Sequence, residues 1–87
     1  MEATAVYVPS LCLTLDGTRL TAMNEAVTRK ASELVRDGGA AHLIFSTAYN
    51  VWKREAELRI KLAISIGVPE NIISIILIVH EFHRLTI

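Results

Sequence analysis

The sequence predicts a single small α/β domain over residues 1–87, a Rossmann-like half-domain of order β-α-β-α-β. Its three-stranded sheet is mostly parallel and is completed by oligomerisation. Three observations predict this. Short aliphatic runs, Leu43-Ile44-Phe45 and Ile75-Ile76-Leu77-Ile78-Val79, alternate with two longer stretches of helical spacing. Glycines stand where those helices should stop, at Gly38-Gly39 and Gly67. The chain has 87 residues, 52% of them hydrophobic, and a mean hydropathy of +0.40. A domain of that size hides only about 60–65% of the surface its unfolded chain exposes, so one copy carries more apolar surface than it can bury.

The first strand is expected from about Thr4 to Leu13, with Val6, Tyr7 and Val8 as strand formers. Pro9 removes a ladder donor, so the strand ends there or bulges. Asp16-Gly17 is a turn signal and offers an alternative, a hairpin between Leu11–Leu15 and Thr18–Ala22. The first helix is expected from Thr21, as its cap, to about Asp37. Leu20, Met23, Val27, Ala31 and Leu34 recur at helical spacing and are expected to lie on the sheet, with Asn24, Thr28, Lys30, Ser32 and Arg36 pointing elsewhere.

The second strand is expected from His42 to about Ala48. The second helix follows from about Val51 to Ile66, ended by Gly67 and Pro69. Its apolar set, Trp52, Ala56, Leu58, Ile60, Leu62, Ala63, Ile64 and Ile66, covers well over half the circumference. The surplus is a candidate subunit interface, within which Glu55 and Arg59 are spaced to pair. The third strand, about Ile73 to Phe82, is so uniformly aliphatic that it is expected to be covered on both faces.

Composition narrows the function. Nine basic and nine acidic residues give no net charge, which argues against nucleic-acid binding, where phosphate neutralisation needs a basic surplus. The single Cys12 provides no disulfide framework. Met1 to Leu15 contains no Lys or Arg, and the longest apolar run falls far short of the ~20 residues that cross a bilayer. The expectation is a soluble, cytoplasmic protein with no membrane partner.

Ala31-Ser32-Glu33-Leu34, Leu43-Ile44-Phe45-Ser46, Arg54-Glu55-Ala56 and Ile66-Gly67-Val68-Pro69-Glu70-Asn71-Ile72-Ile73 together resemble segments of the SanA/YdcF-like family, a bacterial Rossmann-like domain of largely unknown function. The resemblance spans about Ala31 to Ile76. It implies a Rossmann-like fold and gives Glu55 the place of the family's acidic residue at the opening of the second helix. Thr47-Ala48 stands where the family has paired glycines, and His83-Arg84-Leu85-Thr86 where it has a Ser-x-Asn-Thr segment. A family member would continue beyond the point where this chain stops.

In open α/β sheets, ligands bind beyond the carboxyl ends of the strands. Ser46, Thr47, Tyr49 and Asn50 fall between the second strand and the second helix, where free amides and the helix dipole favour an anion. Ser46, Thr47, Asn50 and Glu55 are therefore the candidate ligand-binding residues, for a nucleotide-like anion. Thr47 or Asn50 equally suits a helix cap, and Glu55 equally suits pairing with Arg59. His80 and His83 are three apart in an expected strand end, so alternation sends them to opposite faces, and no metal site is expected. Cys12 fits a small apolar core position and Trp52 a core or interface position.

Three functions remain open. The chain reads as a small-ligand-binding module, as a non-enzymatic homo-oligomeric structural or protein-interaction domain, or, with least support, as a hydrolase using Glu55 or a histidine. The sequence assigns no cofactor and no catalytic residue.

Overall fold

In a computed structural model, which describes residues 5–48 and 52–78, the chain is a small α/β domain with three parallel strands and two helices. Strand β1 (Ala5–Val8) leads to helix α1 (Ala22–Arg36), strand β2 (His42–Ala48), helix α2 (Trp52–Ile66), a 3₁₀ turn over Glu70–Ile72, and strand β3 (Ile73–Ile78). The sheet order is β1-β2-β3, and both pairings are parallel. Tyr7 lies opposite Ile44, and Phe45 lies between Val8 and Ile75.

Consecutive strands in sequential order, joined by right-handed crossovers, put both helices on the same face of the sheet. Helix α1 packs on β1 and β2, α2 on β2 and β3, and the helices pack on each other. The result is a two-layer slab about 20 Å thick, the depth of one sheet plus one helix layer. Between the layers lie Val8, Leu43, Phe45, Ala31, Val35, Ala40, Ala63 and Val68, with Val6, Ile60, Ile72, Ile73 and Ile75 packed against them.

Both helices end as the glycines require. Gly38 and Gly67 take positive φ, +88° and +121°. After α2, the Val68 amide reaches the Ala63 carbonyl at 3.0 Å and the Gly67 amide the Ile64 carbonyl at 3.0 Å, the Schellman pattern. Thr21 caps α1, its hydroxyl oxygen accepting from the Asn24 amide.

Several expectations need correction. Of the two outcomes expected at Pro9, an end or a bulge, strand β1 takes the first, ending at Val8 and not continuing to Leu13. The Asp16-Gly17 segment forms a tight turn with a single antiparallel bridge, Leu13 to Leu20, within the β1–α1 loop, and no extended hairpin. Helix α1 is rotated from the expected orientation. Its buried residues are Asn24, Thr28, Ala31, Ser32 and Val35, while Met23, Val27 and Leu34 are exposed. The cause is a polar partner inside the slab, described below, which the polar stripe faces.

Strand β3, expected to be covered on both faces, is an edge strand. Ser74 and Ile76 are exposed on the face away from the helices. Sequential order forces β3 to the margin, and no layer of the described chain lies beyond the other face. The expected end of this strand, Val79 to Phe82, lies outside the described residues, as do Tyr49, Asn50, His80 and His83. Cys12, expected in the core, is exposed and has φ +74°.

Candidate functional site

The carboxyl ends of β1 and β2 meet the amino-terminal halves of both helices around two charged side chains, Glu55 and Arg59, each fully buried. They lie one turn apart on α2, facing α1 and the sheet. Asn24 meets them from α1, Thr28 and Ser32 continue its line at four-residue spacing, and all three are fully buried.

The Glu55 carboxylate accepts four hydrogen bonds, as many as its lone pairs allow. Oε1 takes the Ser10 hydroxyl at 2.9 Å and the Thr47 hydroxyl. Oε2 takes the Leu11 amide at 3.1 Å and the Asn24 side-chain amide at 2.9 Å. The Arg59 guanidinium donates from Nε to Asn24 Oδ1 at 2.8 Å, from Nη1 to the Ser46 carbonyl at 3.1 Å and the Val8 carbonyl at 3.5 Å, and from Nη2 to the Pro9 carbonyl at 2.5 Å. Nη2 also lies 3.7 Å from Glu55 Oε2. The guanidinium sits over the Phe45 ring, 5.2 Å from its centroid, a cation–π contact.

Asn24 joins the two charges. Its amide donates to Glu55 and to the Cys12 carbonyl at 2.8 Å, and its Oδ1 accepts from Arg59 and from the Thr28 hydroxyl at 3.1 Å, which uses all of its capacity. The Ser32 hydroxyl turns back to the Thr28 carbonyl at 2.7 Å. Among the described residues, no buried side-chain nitrogen or oxygen lacks a partner.

Burial pushes the Glu55 pKa up, but the hydrogen bonds from Thr47, Leu11 and Ser10 and the charge of Arg59 outweigh it and hold the carboxyl below its ordinary value. Burial pulls the Arg59 value down, and Glu55 offsets part of that. An arginine begins so high that it stays cationic at neutral pH. The pair is thus a closed, ionised unit inside the slab.

Three of the four candidate residues come together here. Glu55 is the centre, Thr47 donates to it, and Ser46 contributes its carbonyl to Arg59. Asn50 lies outside the described residues. The spacing of Glu55 and Arg59 announces their pairing, but the pair, expected within a subunit-interface face of α2, is fully buried inside the domain against α1 and the strand ends, and Arg59 proves as central as Glu55. Asn24 and Ser10 carry no such signal singly. The recurrence of Asn24, Thr28 and Ser32 every four residues is a stripe of its own, as regular as the apolar one beside it. His42 is exposed at the opposite end of the sheet, and among the described residues no three His, Cys, Asp or Glu side chains gather as a metal site would need. No described helix is long and apolar enough to cross a membrane.

No family model, curated protein or solved structure matches the chain.

Proposed function

We propose that the chain is a non-enzymatic protein-interaction module rather than a ligand-binding or catalytic one. The observation that carries this reading is the sheet, which among the described residues has helices packed on one face only. Parallel sheets are covered on both faces in almost all folds. Here the face away from the helices exposes Ala5, Tyr7, His42, Ser74 and Ile76, with Tyr7 54% and Ile76 43% accessible. Aromatic and aliphatic side chains without a covering layer are the usual mark of a surface that another polypeptide covers.

The polar cluster supports the same reading. At the place where open α/β sheets receive ligands, the Glu55 carboxylate occupies the position an anion would take, and hydroxyls and an amide of the chain itself surround it. A general base needs a free lone pair and a pKa near the working pH. Glu55 has four engaged acceptor sites and a lowered pKa. The cluster acts as a clasp that ties the 9–12 loop, the carboxyl ends of β1 and β2, and both helices into one body.

The competing reading, a nucleotide-like anion held at Ser46, Thr47, Asn50 and Glu55, makes a different thermal prediction. A ligand at a hundred times its dissociation constant adds about 2.7 kcal/mol, and for a domain of this size that raises Tm by roughly 10 °C or more. Titrating the protein with nucleoside triphosphates, S-adenosylmethionine and inorganic phosphate should leave Tm unchanged. A saturable rise with any of them overturns the interaction reading.

A further inference from the structure

The two margins of the sheet are not alike. β1 is four residues long and closes at Pro9, and short strands and prolines are the devices by which proteins blunt a sheet edge. β3 presents six residues, Ile-Ser-Ile-Ile-Leu-Ile, without a charge, a proline or a glycine, and no strand of the described chain pairs with its outer side. Its free amides and carbonyls form a ladder waiting for a partner.

The same margin is apolar above and below the strand. Leu77 is 37% accessible on the helix side of β3, Ile76 43% on the other side, and Ile64 43% on α2. Ile60 and Ile64, one turn apart, lie on the flank of α2 opposite the one that meets Asn24.

Resting on the interaction reading, we propose that the partner at this margin, as distinct from whatever covers the open face, is a second copy of this chain. Two β3 strands pair antiparallel across a twofold axis to make one continuous six-stranded sheet. An isologous axis brings residues near it against their own copies, so a charge there would repel itself. β3 has none.

α2 links the parallel strands β2 and β3 and packs on both, so it runs back along them and its middle, near Ile60, lies alongside the middle of β3. An axis through the middle of β3 then passes near Ile60. It turns Glu57 of each copy towards Lys61 of the other, two complementary pairs from one symmetric contact. The contact takes in the six residues of β3 and the flank of α2 beside it, a strand-to-strand seam backed by a pair of helices. The other margin suits an axis less well. The exposed flank of α1 there, Met23, Val27 and Leu34, carries Lys30 in its middle, which a twofold would set against itself.

Light scattering on the full chain tests this, with Ile76→Lys and Met23→Lys as variants. Both side chains are exposed in the single subunit, and circular dichroism checks that each variant folds. The expected result is a wild-type mass of twice 9.6 kDa, halved by I76K and kept by M23K. Amide exchange at Ser74–Leu77 should slow as wild-type concentration rises. A mass halved by M23K and not by I76K overturns the β3 contact and leaves the interaction reading standing. A wild-type monomer at all concentrations without any ligand-induced Tm rise overturns the second copy as partner. A monomer with a saturable rise overturns both.

Discussion

Replacing Glu55 by alanine removes one side chain and strands five groups. The Ser10 and Thr47 hydroxyls, the Leu11 amide and the Asn24 side-chain amide lose their acceptor, and Arg59 becomes a buried cation without its carboxylate. Breaking a buried pair from one side costs about 3–5 kcal/mol, because the surviving charge stays desolvated. A chain of 87 residues has roughly 4–13 kcal/mol of stability in total. Glu55→Ala should therefore remove between about a quarter and all of that reserve. Glu55→Gln is the control. Its carbonyl can keep the Leu11 and Asn24 donors, and the two hydroxyls can turn to accept from its amide. The carboxylate charge facing Arg59 is lost as in Glu55→Ala, but the four donors keep partners, so Glu55→Gln should cost less than Glu55→Ala. Urea unfolding followed by circular dichroism measures both, and the slope against denaturant should stay constant while the midpoint moves. If Glu55→Ala stays within ~1 kcal/mol of the parent, Glu55 is not the structural clasp described above. A ligand-binding carboxylate, by contrast, is one whose removal is neutral or stabilising.

Acid should weaken the protein through the same group. The folded pKa of Glu55 lies below its ordinary value, so its contribution is fully present above the unfolded value of about 4.3 and fades as pH falls through the folded one. The urea midpoint should be level from neutrality to about pH 5 and drop below it, and the drop should shrink in Glu55→Gln. Exchanging polarity on α1 separates the observed helix orientation from the expected one. Val27→Thr, at an exposed site, should shift stability by less than ~0.5 kcal/mol. Thr28→Val, which takes a donor from buried Asn24, should cost about 1–3 kcal/mol by chemical unfolding in dilute solution. Gly67→Ala should cost more than ~1 kcal/mol, since φ is +121° and an added Cβ would stand 3.1 Å from Arg36 Cδ. A Tm within a degree of wild type would contradict that.

Element order was legible because local rules fix it. α1 (Ala22–Arg36), β2 (His42–Ala48) and the Gly67 stop agree with the expectations to within about a residue. Caps, left-handed glycines and aliphatic runs act on neighbours in sequence. The parallel, Rossmann-like half-fold followed from the alternation of strands and helices. At the site, Thr47 stood out by its place after a strand and Glu55 through the family resemblance, both as expected ligand-binding residues rather than as parts of a clasp, and the pairing of Glu55 with Arg59 was legible in their spacing.

Two decisions belonged to the tertiary structure. The first is which face of α1 turns inward. Met23, Val27 and Leu34 form an apolar stripe that propensity would bury, yet Asn24, Thr28 and Ser32 occupy the interior. A buried Glu–Arg pair contributed by another helix must be solvated by polar side chains, and that requirement exceeds the gain from burying three aliphatic ones. The second is the position of β3. Its composition reads as an interior strand, but sequential parallel order places it at the margin. A run of aliphatic side chains records that a strand is to be covered, and only the assembled sheet shows from which side the cover must come.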